Sequence, residues 1–145
     1  MAETLGMLCD KLTIVKLKQY HTKDKSKLVS LQKQAKQLQG EINEYIADAK
    51  LGKIPLDKLT FTSNKIYNKQ KNKTGDVKGN FGEVISQLAD VNCNLWHQQE
   101  KVYEFEKVPA KEKNRVIKKL ATLNLDRNKC IDRIDNLLAG MIANK

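Results

Sequence analysis

Proline, cysteine and arginine are scarce in this sequence, and each scarcity excludes something. Two prolines among 145 residues leave long stretches with nothing to break a helix, and none falls between residues 7 and 51. No run of about 18 apolar residues is present to span a membrane. The first residues show no basic segment followed by an apolar stretch and a small-residue cleavage site. These features predict a cytoplasmic protein with no membrane partner. Three cysteines, Cys9, Cys93 and Cys130, are odd in number and widely spaced, which argues against a disulfide framework and for core thiols in a reducing compartment. Only three of the 27 basic residues are arginines, Arg115, Arg127 and Arg133. That lysine bias is typical of AT-rich genomes, phage genomes among them. It also singles out each arginine, because a planar five-donor fork does what a lysine ammonium does not.

What is abundant is positive charge and helical periodicity. The net charge of +10 points to an anionic partner without saying which one. From Leu28 the apolar residues Leu28, Leu31, Ala35, Leu38, Ile42, Tyr45 and Ala49 alternate by three and four, one seam of a helix. Gly52 and Pro55 end it. Read backwards, the register gives Asp24, His21, Leu17, Ile14, Asp10 and Met7, which predicts helix over about 3–51, as one rod or as two helices joined near Thr22. A second helix is expected over 81–107, on the seam Val84, Leu88, Val91, Leu95 and Val102, with Pro109 as its stop. A third is expected over 110–142, with Val116, Leu120, Leu123, Cys130, Ile134, Leu137 and Met141 on its seam. Residues 53–80 carry seven lysines against two aspartates and little periodicity, which reads as a basic loop or lid.

The expected fold is all-α, a single domain of residues 1–145 built as an antiparallel helical bundle. Helices of more than about 30 residues are about 45 Å long and would overhang a chain of this size, so a homodimer is expected.

Polar residues that interrupt apolar seams are the main functional signal. They are Asp10 and His21 in the first helical stretch, Asn92, Asn94, Trp96 and His97 in the next, and Asn124, Arg127 and Asn128 in the last. An arginine inside a bundle must be paired, and Asp, Asn and His supply the partners. One reading is an interhelical pocket in which Arg127, His21 and His97 hold phosphate, Trp96 stacks on a ring, and the asparagines with Asp10 read hydroxyls and ring edges. The competing reading is a network that sets helix register, although one or two polar residues usually suffice for that.

Other patterns carry less. Cys93 and His97 share a helical face, but no paired Cys-x-x-Cys or His-x-x-x-His supports zinc, so no metal and no cofactor are expected. Glu41, Glu44 and Asp48 have the spacing of a helical magnesium site but read as a solvated face. The glycines at 75, 79 and 82 follow no strand and read as a turn before a helix capped by Asn80. Lys65, Lys69, Lys71, Lys73 and Lys78, interleaved with asparagines and Tyr67, form a basic lid able to grip a phosphate or a nucleic-acid backbone. With so little arginine, base-edge readout is not expected.

Three motifs together resemble a bacterial domain-of-unknown-function family. They are Asp10-Lys-Leu continuing to His21, Leu95-Trp-His97, and Arg127-Asn-Lys-Cys-Ile-Asp-Arg-Ile-Asp135. In order they match the family's Asp-Lys-Leu opening that ends in His, its Leu-Trp-His middle and its Arg-Asn-x-x-Ile-x-x-Ile-Asp close. The family pattern carries an acidic residue where this chain has Gln99 and an arginine where it has Tyr103. The resemblance implies binding kept and any chemistry of those two positions lost.

The expected function is therefore a binding protein that holds or sequesters a small anionic, nucleotide-type ligand. One concrete form is a phage-encoded sponge for a nucleotide immune signal. Two alternatives stand beside it. An enzyme acting on a nucleotide or sugar phosphate would use His21 or His97 with Asp10 or Glu100. A non-specific nucleic-acid-binding protein would use the Lys-rich loop, with affinity that falls steeply with salt.

Overall fold

The computed structural model describes residues 3–61 and 77–144, with four α-helices and no strand among them. Helices α1 (Leu5–His21), α2 (Lys25–Lys50), α3 (Phe81–Tyr103) and α4 (Ala110–Ala143) run up, down, up and down. Four of the expected lid residues, Lys65, Lys69, Lys71 and Lys73, lie outside the described residues. Lys78 lies within them and is exposed.

The stretch expected over 3–51 is two helices. Thr22 leaves α1 in extended conformation (ψ 132°), and the Asp24 carboxylate accepts from the Ser26 and Lys27 amides to start α2. A continuous rod would leave its seam without a partner. Folding back sets Val15 of α1 against Leu31 and Ala35 of α2. The far end of α2 closes as the sequence predicts: Gly52 adopts φ +76°, its amide reaches the Ala49 carbonyl at 3.2 Å, and the Lys53 amide reaches Asp48 at 2.9 Å. That 6→1 and 5→2 pair is a Schellman cap, which favours glycine in the left-handed position. Helix α3 stops at Tyr103, short of 107, and a 3-10 turn over Phe105–Lys107 leads to Pro109 and α4.

Helix α1 is central, packed on α2, α3 and α4, while α3 and α4 form the other antiparallel pair. The main core sits at the lower end, where Leu5, Leu8 and Cys9 meet Tyr45 and Ala49, Leu59, Val84 and Leu88, and Cys130, Ile134 and Leu138. Leu59, Val84, Leu88 and Ile134 are fully buried, each worth about 1.5–3 kcal/mol of transfer free energy. Helix α1 rises only about 25 Å and α4 about 51 Å at 1.5 Å per residue. At the upper end α3 and α4 therefore run past α1, leaving Val102, Tyr103 and Ile117 exposed.

Candidate functional site where three helices meet

Above the apolar core, α1, α3 and α4 meet through a polar junction centred on Asp10. Its carboxylate is 5% exposed and accepts from Arg127 Nε at 2.9 Å and Nη2 at 2.6 Å. This is the bidentate geometry a guanidinium offers and a lysine does not. Asn92 Nδ2 donates to Asp10 Oδ1 at 2.9 Å and to Thr13 Oγ1 at 2.8 Å, and Thr13 Oγ1 donates to the Asp10 carbonyl at 2.7 Å. One carboxylate thus ties three helices together, with its charge compensated within the protein. The seam-breaking Asp10 and Arg127 face each other because α1 and α4 run antiparallel. Arg127 and Asn128 also line a cleft of about 290 Å³ with Glu3, Met7, Asp10, Lys11, Ile14 and Ile131. Lys11 there is paired with Glu3, so the cleft carries balanced charge.

A second group stands higher. His21 stacks on Trp96 with centroids 4.6 Å apart and planes 7° from parallel. Tyr20 and His97 each lie edge-on to His21, at 5.2 and 6.2 Å. Cys93 Sγ is 3.8 Å from His97 Nε2, and Glu100 Oε1 is 3.9 Å from His97 Nδ1. His21 and His97 are exposed and Trp96 is half-buried, so the group lies at the bundle's edge. Trp96 stands one helical turn above Asn92, which keeps both groups on one seam. His21 lies eleven residues beyond Asp10, about 16 Å along α1.

The nine residues singled out by the sequence do not converge as one set. Asp10, Asn92 and Arg127 form the junction, and His21, Trp96 and His97 form the ring group. Asn128 donates to the Asn124 carbonyl at 2.8 Å, a bond within α4. Asn94 is exposed, and helical geometry sets it on the opposite side of α3 from Asn92.

Three participants stand outside the nine candidates, although Asp135 closes the third sequence motif. Thr13 bridges Asn92 to Asp10, and its offset of three from Asp10 is the signal. Tyr20 extends the ring group. Asp135 is 1% exposed and accepts from the Gly6 amide at 2.7 Å, which caps the start of α1 from α4. Burial pushes Asp135 up to about 6, against hydrogen bonds from Gly6 and Thr4 that lower it and Asp132, which raises it further. Its Oδ2 and the Tyr45 hydroxyl are buried with no hydrogen-bond partner among the described residues. Gly6 is required there: a Cβ would stand 2.4 Å from the Ile131 carbonyl oxygen. Asp135 shares the helical row of Asn128, seven residues on.

Among the described residues no group of three His, Cys, Asp or Glu is placed to hold a metal. Cys9 and Cys130 are buried thiols pushed up to about 11, chiefly by burial. Among the described residues no helix is long and apolar enough to cross a membrane. Comparison of the chain with protein-family models, curated proteins and solved structures finds no match.

Proposed function

We propose that the protein binds and sequesters an anionic, nucleotide-type ligand, with the base on the ring group of His21, Trp96 and His97. The observation that carries this reading is the His21–Trp96 stack, 4.6 Å between ring centres, with His21 exposed on the edge of a strongly basic protein, so that a base would extend the stack from outside. Aromatic faces accept nucleobases by stacking. The edge of Arg127 that faces Asp10 is occupied, so phosphate falls to the lysines around the α1–α2 turn, and the junction holds the helices that present the rings. His97 and Glu100 stand 3.9 Å apart, beyond hydrogen-bond distance, and product formation with the same ligands separates turnover from holding.

Trp96 is the only tryptophan, so its fluorescence reports on the site directly. Titration with a panel of mono- and dinucleotides is expected to quench it saturably, and His21→Ala is expected to weaken binding without unfolding the protein. No saturable change with any nucleotide at millimolar concentration overturns the reading. Native mass spectrometry of fresh protein then reports any retained ligand, and it tests the expected homodimer in the same spectrum.

A further inference from the structure

Charge is divided unevenly between the two ends of the bundle. Residues 11–36, which span most of α1, the turn and the upper part of α2, hold eight lysines against one acid, Asp24. The first turns of α4, at the same end, add Lys111, Lys113, Arg115, Lys118 and Lys119 against Glu112. The acids Glu41, Glu44, Asp48, Glu83, Asp126, Asp132 and Asp135 lie towards the other end, while Glu100, Glu104 and Glu106 stand at or just beyond the upper end of α3 beside Lys101 and Lys107 and offset only a small part of the excess. Lys16, Lys18, Lys23 and Lys25 are exposed, and none forms an ion pair among the described residues. Moreover, Lys25 and Lys27 open α2, whose first turn contains no acid. The acid at that helix start is the capping Asp24.

The same end carries an apolar groove. Leu12, Thr13, Lys16, Leu17 and Tyr20 of α1 and Ala89 and Cys93 of α3 line a trough of about 490 Å³. It continues into the ring group, since Tyr20 is edge-on to His21 and Cys93 touches His97. Tyr20 is 86% exposed. From Leu12 to Tyr20 the trough runs about 12 Å, room for about three stacked bases at about 3.4 Å each.

Building on the proposed function, and naming a longer ligand for the same site, we propose that this end of the bundle binds single-stranded nucleic acid. Bases lie along the α1/α3 trough and against Tyr20, His21 and Trp96. Phosphates lie on Lys16, which lines the trough, and on Lys23, Lys25 and Lys27 around the turn. The combination of apolar trough, exposed rings and unpaired cations matches the two parts of a single strand, stacking faces and backbone. A duplex hides its base faces and has no use for the trough. A second copy docking head to head brings two strongly basic ends together. An anionic membrane would engage the exposed Val102, Tyr103 and Ile117 of the same end and leave the α1/α3 trough unused, and vesicle binding separates the two. Lysine in place of arginine supplies point charges without base-edge readout, so binding is independent of sequence.

The test is fluorescence anisotropy of the full chain with a labelled 12-nucleotide oligo-dT, a 12-base-pair duplex and dTMP as competitor, alongside co-sedimentation with phosphatidylserine vesicles. The single strand is expected to bind tightest. With four lysines on phosphates its affinity falls about 20-fold between 50 and 150 mM salt, from a slope of about −0.7 per contact. Tyr20→Ala is expected to weaken it about tenfold, the scale of one lost stacking partner. The triple variant K16E/K23E/K25E, at exposed positions, is expected to abolish it with the circular dichroism spectrum unchanged. Alanines at Lys65, Lys69, Lys71 and Lys73 are expected to leave most of it. Loss of binding only in that last variant, duplex binding equal to single-strand binding, or binding to vesicles alone each overturns the proposal. If dTMP binds as tightly as the 12-mer, this proposal fails and the nucleotide reading stands; if neither binds, both fail.

Discussion

Replacing Arg127 by Ala separates a lock between helices from a ligand clamp. The variant strips two charge-assisted bonds from Asp10, at 2.9 and 2.6 Å, and leaves a carboxylate 5% exposed with one bond from Asn92. A fully buried charge deprived of its partner costs about 3–5 kcal/mol. The Arg127 side chain is itself 35% exposed, so water enters the vacated space and restores part of the solvation. The expected loss is then about 2–3 kcal/mol, a melting temperature lower by roughly 6–12 °C for a chain of this length. The double variant Asp10→Leu with Arg127→Met leaves no buried charge, and Asn92 keeps its bond to Thr13. It is expected to be more stable than Arg127→Ala alone. Urea unfolding followed by circular dichroism and by Trp96 fluorescence measures both. A loss under about 1 kcal/mol for Arg127→Ala, the range of an exposed pair, refutes the lock; so does a double variant less stable than the single one. In the folded Arg127→Ala variant nucleotide quenching is expected to persist. Abolished binding there returns the phosphate role to Arg127.

Gly6→Ala places a Cβ 2.4 Å from the Ile131 carbonyl oxygen and is expected to cost about 1–3 kcal/mol. Gly40→Ala, exposed in α2 with nothing within 4 Å, is expected to gain about 0.5–1 kcal/mol; thermal melts of both check the contrast. Burial raises Asp135 from 3.8 to about 6, so the folded state takes up the proton. Its contribution to stability is full below about pH 4 and is lost as the pH rises through about 6. Asp135→Asn is expected to remove that component, and identical stability–pH curves for the two proteins between pH 4 and 7 contradict it. Iodoacetamide is expected to label half-exposed Cys93 before Cys9 and Cys130, whose thiols sit near 11, in the order read by peptide mass spectrometry.

Helix type and boundaries are largely local matters, and they were legible. The three-four alternation of apolar residues, Gly52 and Pro109 act within a few residues of where they stand, so periodicity and stop signals located α2, α3 and α4 closely. The break after His21 was less clear, because Asp24 fits a seam as an anomaly and a cap as a rule, and only the packing of α1 back on α2 chooses between them. The polar residues were found by the same periodicity, since each stands where an apolar side chain belongs. Their grouping was not legible. Whether Arg127 meets Asp10 or a ligand depends on antiparallel register between elements more than 100 residues apart, and whether His21 meets Trp96 or Arg127 depends on how far α1 rises beside α3. Sequence alone therefore determined an all-α chain, its basic charge and the seam-breaking positions, because these follow from composition and local spacing. The tertiary structure decided that these positions divide into a three-helix lock and a ring group at a basic end, because only packing brings side chains distant in sequence within bonding distance.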